Sequence, residues 1–179
     1  MTVPEAPLEQ TDQGIAPAGD GWFVLNAKDA RWVVEGLGPK LTFFEGGAGR
    51  FEQLGINVSI MGPGEPMSMY HWEDDQEDFL IVAGEALAIV EGQERPLKAW
   101  DLVHCPRGTK HVIVGAGTGP CVVVSVGSRM SGNDWGAYTV DPVAAKHGAS
   151  VEEETTSPDV AYARFPARQP IQYEEGWLP

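Results

Sequence analysis

The sequence is poor in cysteine, in positive charge and in long apolar runs, and each shortage closes off a class of function. Cysteine occurs twice, at Cys105 and Cys121. Two cysteines make no disulfide framework in a chain of 179 residues, so two free thiols and a reducing, cytoplasmic setting are expected. Lys and Arg total 12 against 26 Asp and Glu, a formal net charge of −14. Phosphate backbones and anionic bilayers would be repelled, so neither nucleic acid nor membrane is an expected partner. No stretch approaches the ~18 consecutive apolar residues of a membrane helix. The first ten residues have no basic or apolar segment of the kind a secretory signal needs.

What is present suits one packed domain with extensions, since 42% of the residues are hydrophobic. Residues 1–20 are rich in Pro, Glu, Gln and Gly and read as a flexible arm. A second reading of that arm is a strand swapped onto a partner subunit. Strand-like runs follow at Trp22-Phe23-Val24-Leu25 and at Leu41-Thr42-Phe43-Phe44, the latter ended by Gly46-Gly47. Leu54 to Met61 alternates apolar with small or polar residues, the signature of a half-buried strand. Asn57-Val58-Ser59 within it matches a glycosylation sequon, which an intracellular strand sets aside. Ala86 to Val90, Leu102 to Cys105, Lys110 to Val114 and Cys121 to Val126 are further short strands. Glu91 to Glu94 reads as a hairpin turn, with Arg95 to Lys98 leading out, and Gly115 to Pro120 as a glycine-rich hairpin. Many short strands between Gly/Pro turns, with no helix among them, mean an all-β sandwich or barrel over residues 21–130. Residues 131–179 change character. Asp141-Pro142 and Ser157-Pro158 each open a short helix, and the first is closed by Gly148. The tail beyond is expected to be extended and pinned to a surface by Tyr173 and Trp177.

Two stretches carry the chemistry. In the first, His71-x-Glu73 is followed by Glu77 and, after six more residues, by Gly84. In the second, Pro106-x-Gly108-x-x-His111 makes a turn that delivers a histidine. Spacing, glycines and flanking strands together resemble the two motifs of the cupin superfamily over residues 54–127. The resemblance implies a double-stranded β-helix, or jelly roll, of two antiparallel sheets, here followed by the two short C-terminal helices read above, and commonly a homodimer. It also implies a metal site at His71, Glu77 and His111, and at Glu73, where the family has a second histidine.

Residues two apart on a strand share a face, so His71 and Glu73 point together. Two imidazoles and two carboxylates on one inward face suit a divalent transition metal such as zinc, manganese or iron. The other reading makes His71 and His111 hydrogen-bonded core residues, but two buried carboxylates without a cation would be costly. Asp74, Asp75 and Asp78 read as a solvated turn. The resemblance implies that Cys105, just before Pro106, packs inward, and parity then turns His104 the other way, toward a subunit interface. Tyr70 alternates outward.

The resemblance locates the site better than it names the reaction, because one fold hosts many chemistries. The expected function is a metal-dependent enzyme acting on a small polar metabolite, foremost a sugar or sugar-phosphate isomerase with Glu73 or Glu77 as the base. An iron-dependent dioxygenase and a non-catalytic binding protein for a small ligand are the alternatives.

Overall fold

The long strands explain the architecture. A computed structural model describes residues 2–46, 51–130 and 135–179. Its strands are, in order, β1 (Leu8–Thr11), β2 (Gly14–Pro17), β3 (Arg31–Val34), β4 (Lys40–Phe43), β5 (Leu54–Met61), β6 (His71–Glu73) and β7 (Glu77–Ala83). There follow β8 (Glu85–Val90), β9 (Gln93–Lys98), β10 (Leu102–Cys105), β11 (His111–Ala116), β12 (Cys121–Ser128) and β13 (Gly136–Tyr138). Helices α1 (Pro142–Lys146) and α2 (Pro158–Ala161) precede the last strand, β14 (Gln169–Ile171).

These strands form a seven-stranded sheet, β10-β7-β12-β5-β4-β3-β14, and a five-stranded sheet, β13-β6-β11-β8-β9, with β1-β2 as a separate hairpin. Their pairings are antiparallel. Among the described residues the protein is therefore all-β, two sheets face to face, with two short helices.

Alternation along the strands sorts residues into an inner and two outer layers. Met61, Phe79, Ile81, Cys105, Ile113, Cys121 and Val123 form the core between the sheets. Their neighbours in sequence face out. Val112 and Val114 join Tyr70 and Ile89 under Ala144 of α1. Val58, Ile60 and Val122 join Trp32 under the C-terminal tail. Both cysteines are free and buried.

Glycine is required at the turn between β7 and β8. Gly84 has φ of 77°, and a Cβ there would stand 2.3 Å from the Pro120 carbonyl oxygen. The first helix forms as its capping residues dictate: Asp141 accepts hydrogen bonds from the Val143 and Ala144 backbone N–H groups. The tail behaves as its aromatics suggest. Tyr173 and Trp177 pack on the buried Trp32 ring at 5.8 and 5.7 Å.

Several expectations are revised. The run Trp22 to Leu25 is not a strand. Trp22 makes only a bridge to Glu5, and Val24 is 82% exposed. The strand in this region is instead β3, next to the edge strand β14, and its Trp32 is fully buried. Residues 8–17, expected to be mobile, form the β1-β2 hairpin, with Ala6 and Ala16 buried beside it. Gln93 to Lys98, expected as the end of a turn and a lead-out, is the edge strand β9. Pro96 is tolerated there because no further strand needs its missing N–H. Gly47, expected to end β4, lies outside the described residues, as do residues 131–134 at the start of the C-terminal extension.

Candidate metal centre

β6 and β11 pair at a single point, His71 opposite His111. That pairing places their imidazoles 4.8 Å apart, centroid to centroid. Glu77, the first residue of β7, reaches them from the other sheet. Its Oε2 lies 3.2 Å from His111 Nε2 and 3.7 Å from His71 Nε2. The ligand atoms of His71, Glu77 and His111 all lie within 4.8 Å of one another. The turn before β11 is tied to the same place, since the Gly108 N–H donates to the Glu73 carbonyl at 2.8 Å.

Both histidines are oriented by backbone carbonyls. His71 Nδ1 donates to the Met69 carbonyl at 2.8 Å, and His111 Nδ1 to the Thr109 carbonyl at 2.9 Å. A carbonyl can only accept, so each Nδ1 carries the proton and each Nε2 is left with a lone pair in the neutral ring. Those lone pairs point at Glu77. Glu77 Oε2 and His111 Nε2 are buried, and neither has a hydrogen-bond partner. Two facing lone pairs 3.2 Å apart repel unless a metal ion or a proton lies between them. The donor set, two imidazoles and a carboxylate, fits a divalent transition ion.

Without an ion, a proton takes that place. Burial disfavours the charged His111 ring, but the Cys105 and Glu77 side chains outweigh it and raise its pKa to about 10. Burial pushes His71 down, and the neighbouring His111 charge adds to this, bringing it to about 4. Burial also works against the Glu77 carboxylate, yet the two histidines hold its pKa below the ordinary value.

Glu73 is close but distinct. Its Oε1 is 3.8 Å from His71 Nε2, and its carboxylate is not among the three clustered ligands. Burial, then repulsion from Glu77, raises its pKa to about 7. It borders two cavities. The larger, about 590 Å³, is also lined by Asn57, Glu77, Ser125 and Trp135. The smaller, about 410 Å³, is lined by Ser68, His71, Trp135, Tyr138 and Tyr162.

The other sequence candidates fall outside this centre. His104 faces outward, its Nδ1 2.6 Å from Asp78. Asp74 pairs with Arg107, and Asp75 accepts from Ser128 Oγ at 2.6 Å. Tyr70 lies in the outer layer, where its hydroxyl accepts from the Gly92 N–H. Cys105 lies in the core beside His111.

Sequence reasoning passed over four residues of the site. Asn57 and Ser125 are direct cross-strand partners on β5 and β12, and both line the larger cavity. Two polar residues at inward positions of otherwise apolar strands were the available signal. Trp135 and Tyr138 stand 6.4 and 5.9 Å from the His71 ring, centroid to centroid. They come from β13 and its approach, which carry no pattern that points to a site.

The Cupin domain family model matches residues 57–127. Those residues are a cupin domain. Solved cupins and related structures superpose on this chain at low identity. A sugar phosphate isomerase from a cupin superfamily, from Silicibacter pomeroyi, is 22% identical with a TM-score of 0.52, over 60% of this chain and 76% of its own. An RmlC-like cupin from Shewanella frigidimarina is 18% identical with a TM-score of 0.51, over 58% and 87%. The polyketide cyclase RemF from Streptomyces resistomycificus is 12% identical with a TM-score of 0.53, over 60% and 79%. The cupin fold is what these likenesses share. Among the curated proteins none matches the chain. No helix among the described residues is long and apolar enough to cross a membrane.

Proposed function

We propose that this cupin is a metal-dependent enzyme for a small polar hydroxy-carbonyl compound, with sugar isomerisation as its reaction class. The observation that carries the metal is the buried, unpartnered pair Glu77 Oε2 and His111 Nε2, 3.2 Å apart. His71, Glu77 and His111 hold the ion, and zinc, manganese and iron all suit that donor set. A bound divalent ion supplies Lewis-acid polarisation of a substrate oxygen.

Glu73 supplies the proton chemistry. Its carboxyl borders both cavities, where it is placed to take a proton from a bound substrate and return it. It removes a proton from the carbon beside the substrate carbonyl and returns it to the former carbonyl carbon. A proton crosses between the two oxygens in the same conversion, so aldose and ketose interconvert without net loss or gain. The likeness to a sugar phosphate isomerase is consistent with this class.

The test is solvent isotope exchange. Metal-loaded protein in D2O, offered a panel of aldoses, ketoses and their phosphates, should transfer deuterium to the carbon beside the carbonyl of at least one. No exchange on any member with metal bound contradicts isomerisation. One observation favours a second reading: two histidines and one carboxylate are also the ligand set of iron(II) oxygenases. Oxygen consumption by the iron-loaded protein on the same panel, with no isotope exchange, selects it. Binding without turnover by any metal form selects the small-ligand binding protein.

We also place a homodimer contact on the outer face of β10. Trp100 is 74% exposed and Leu102 63%, and His104 points the same way as Leu102.

A further inference from the structure

The larger cavity identifies the charge its ligand must carry. It reaches the metal triad through Glu77 in its wall, toward which His111 Nε2, on a side chain only 2% exposed, is aimed at 3.2 Å. Among the described residues, that wall has one cation, Arg129. Its guanidinium is already engaged. Nη1 donates to Glu45 Oε1 at 2.6 Å and to the Phe51 carbonyl at 2.5 Å. Nη2 donates to Glu45 Oε2 at 2.9 Å. A bidentate carboxylate matches the guanidinium fork and neutralises it, so Arg129 braces the Phe51 segment rather than offering a free positive charge. The wall also carries Glu52, Glu73, Asp75 and Glu77. Four acidic side chains exceed the charge of one divalent ion.

A phosphate ester or dicarboxylate entering this cavity would give up its hydration and, among the described residues, find no free cation beyond the metal. The polar groups that remain are matched to hydroxyls. Asn57 presents a carboxamide with both donors and an acceptor, and Ser125 stands directly across the strand pair from it. Phe51 and Trp135 add aromatic surface at the sides, against which the C–H face of a polyol can pack.

We infer that the ligand of this site is an uncharged polyhydroxy compound, and that its phosphorylated counterpart is excluded. The inference rests on the metal-site reading above and narrows its substrate class.

Calorimetry on zinc-loaded protein tests it, with D-ribose against D-ribose 5-phosphate and D-glucose against D-glucose 6-phosphate at low salt. At least one neutral sugar should bind, tenfold or more tighter than its phosphate. Glu52→Lys should raise affinity for the phosphates at least threefold, because it replaces a repelling charge with an attracting one. A phosphate that binds as tightly as its parent sugar overturns the inference. So does zinc-loaded protein that binds neither neutral sugar, or a Glu52→Lys variant that leaves phosphate binding unchanged. Protein that takes up no zinc fails the metal reading first, and the inference falls with it. Zinc content measured before each titration separates the two failures.

Discussion

Glu73 separates two roles that a carboxylate beside a metal can play. A ligand lost to substitution takes the metal with it. A base lost to substitution leaves the metal and removes the chemistry. Its carboxylate lies outside the cluster of His71, Glu77 and His111, which favours the base. Glu73→Gln should therefore change metal affinity by less than about threefold while lowering isotope exchange by about a hundredfold or more. A tenfold loss of metal, measured by competition with a chelating dye, would make it a ligand.

His111 offers a second test at the same scale. Its pKa in the metal-free protein is raised to about 10, so at pH 7 the ring holds a proton the ion must displace. Metal uptake at pH 7 should release about one proton, read by calorimetry in two buffers of different ionisation heat. Affinity should climb with pH up to about 10. The sign for stability is the opposite. The imidazolium beside Glu77 stabilises the metal-free fold below the ordinary value of 6.5, and that contribution is lost as pH rises through about 10. Metal uptake with no proton released contradicts this account of His111.

At the scale of elements, the N-terminal hairpin is the part whose weight is easiest to misjudge. Its buried residues, Gly14, Ala16 and Pro17, with Ala6 just before it, are none of them large, yet it is docked by backbone bonds from Ala6 to Trp22 and from Ile15 to Asp29. Deleting Thr2–Asp20 should cost about 2 kcal/mol and lower the melting temperature by roughly 4–8 °C. An unchanged melting curve would show that the hairpin only rests on the barrel. The reason the hairpin was illegible in sequence is general. Alanine, glycine and proline give no hydrophobic alternation, and the pairing is set by its docking rather than by its own pattern. The same holds for β13, three residues long, which is held by pairing with β6. The strands that build the site were legible because their two faces are both defined. Ile113 points in while Val112 and Val114 point out, so a slip of one residue would bury the wrong set. The three clustered ligands were legible because their spacing follows from the turns that deliver them. Trp32 was missed as a strand residue because its partners, Tyr173 and Trp177, lie about 140 residues further along the chain.

For the whole molecule, the exposed edge at β10 bears on assembly. Trp100 and Leu102, two residues apart at the start of β10, are both largely exposed. Leu102→Glu should convert a dimer to a monomer in light scattering, with the melting curve shifted by only a few degrees. A wild-type protein that is monomeric at all concentrations contradicts the dimer. The barrel itself, with Ile81, Ile113 and Val123 closed to solvent between two sheets, holds the histidines and Glu77 in place whether or not it pairs.

The central claim is that the facing lone pairs of Glu77 and the two histidines enclose a divalent ion. Elemental analysis of protein purified without a metal-affinity step tests it most directly, with the His111→Ala variant prepared in parallel. The account predicts about one transition-metal ion per chain in the wild type, and loss of most of it in the variant, with both folded by circular dichroism. A folded wild type without metal that also fails to take up added zinc, manganese or iron(II) would contradict it, as would equal metal content in the variant.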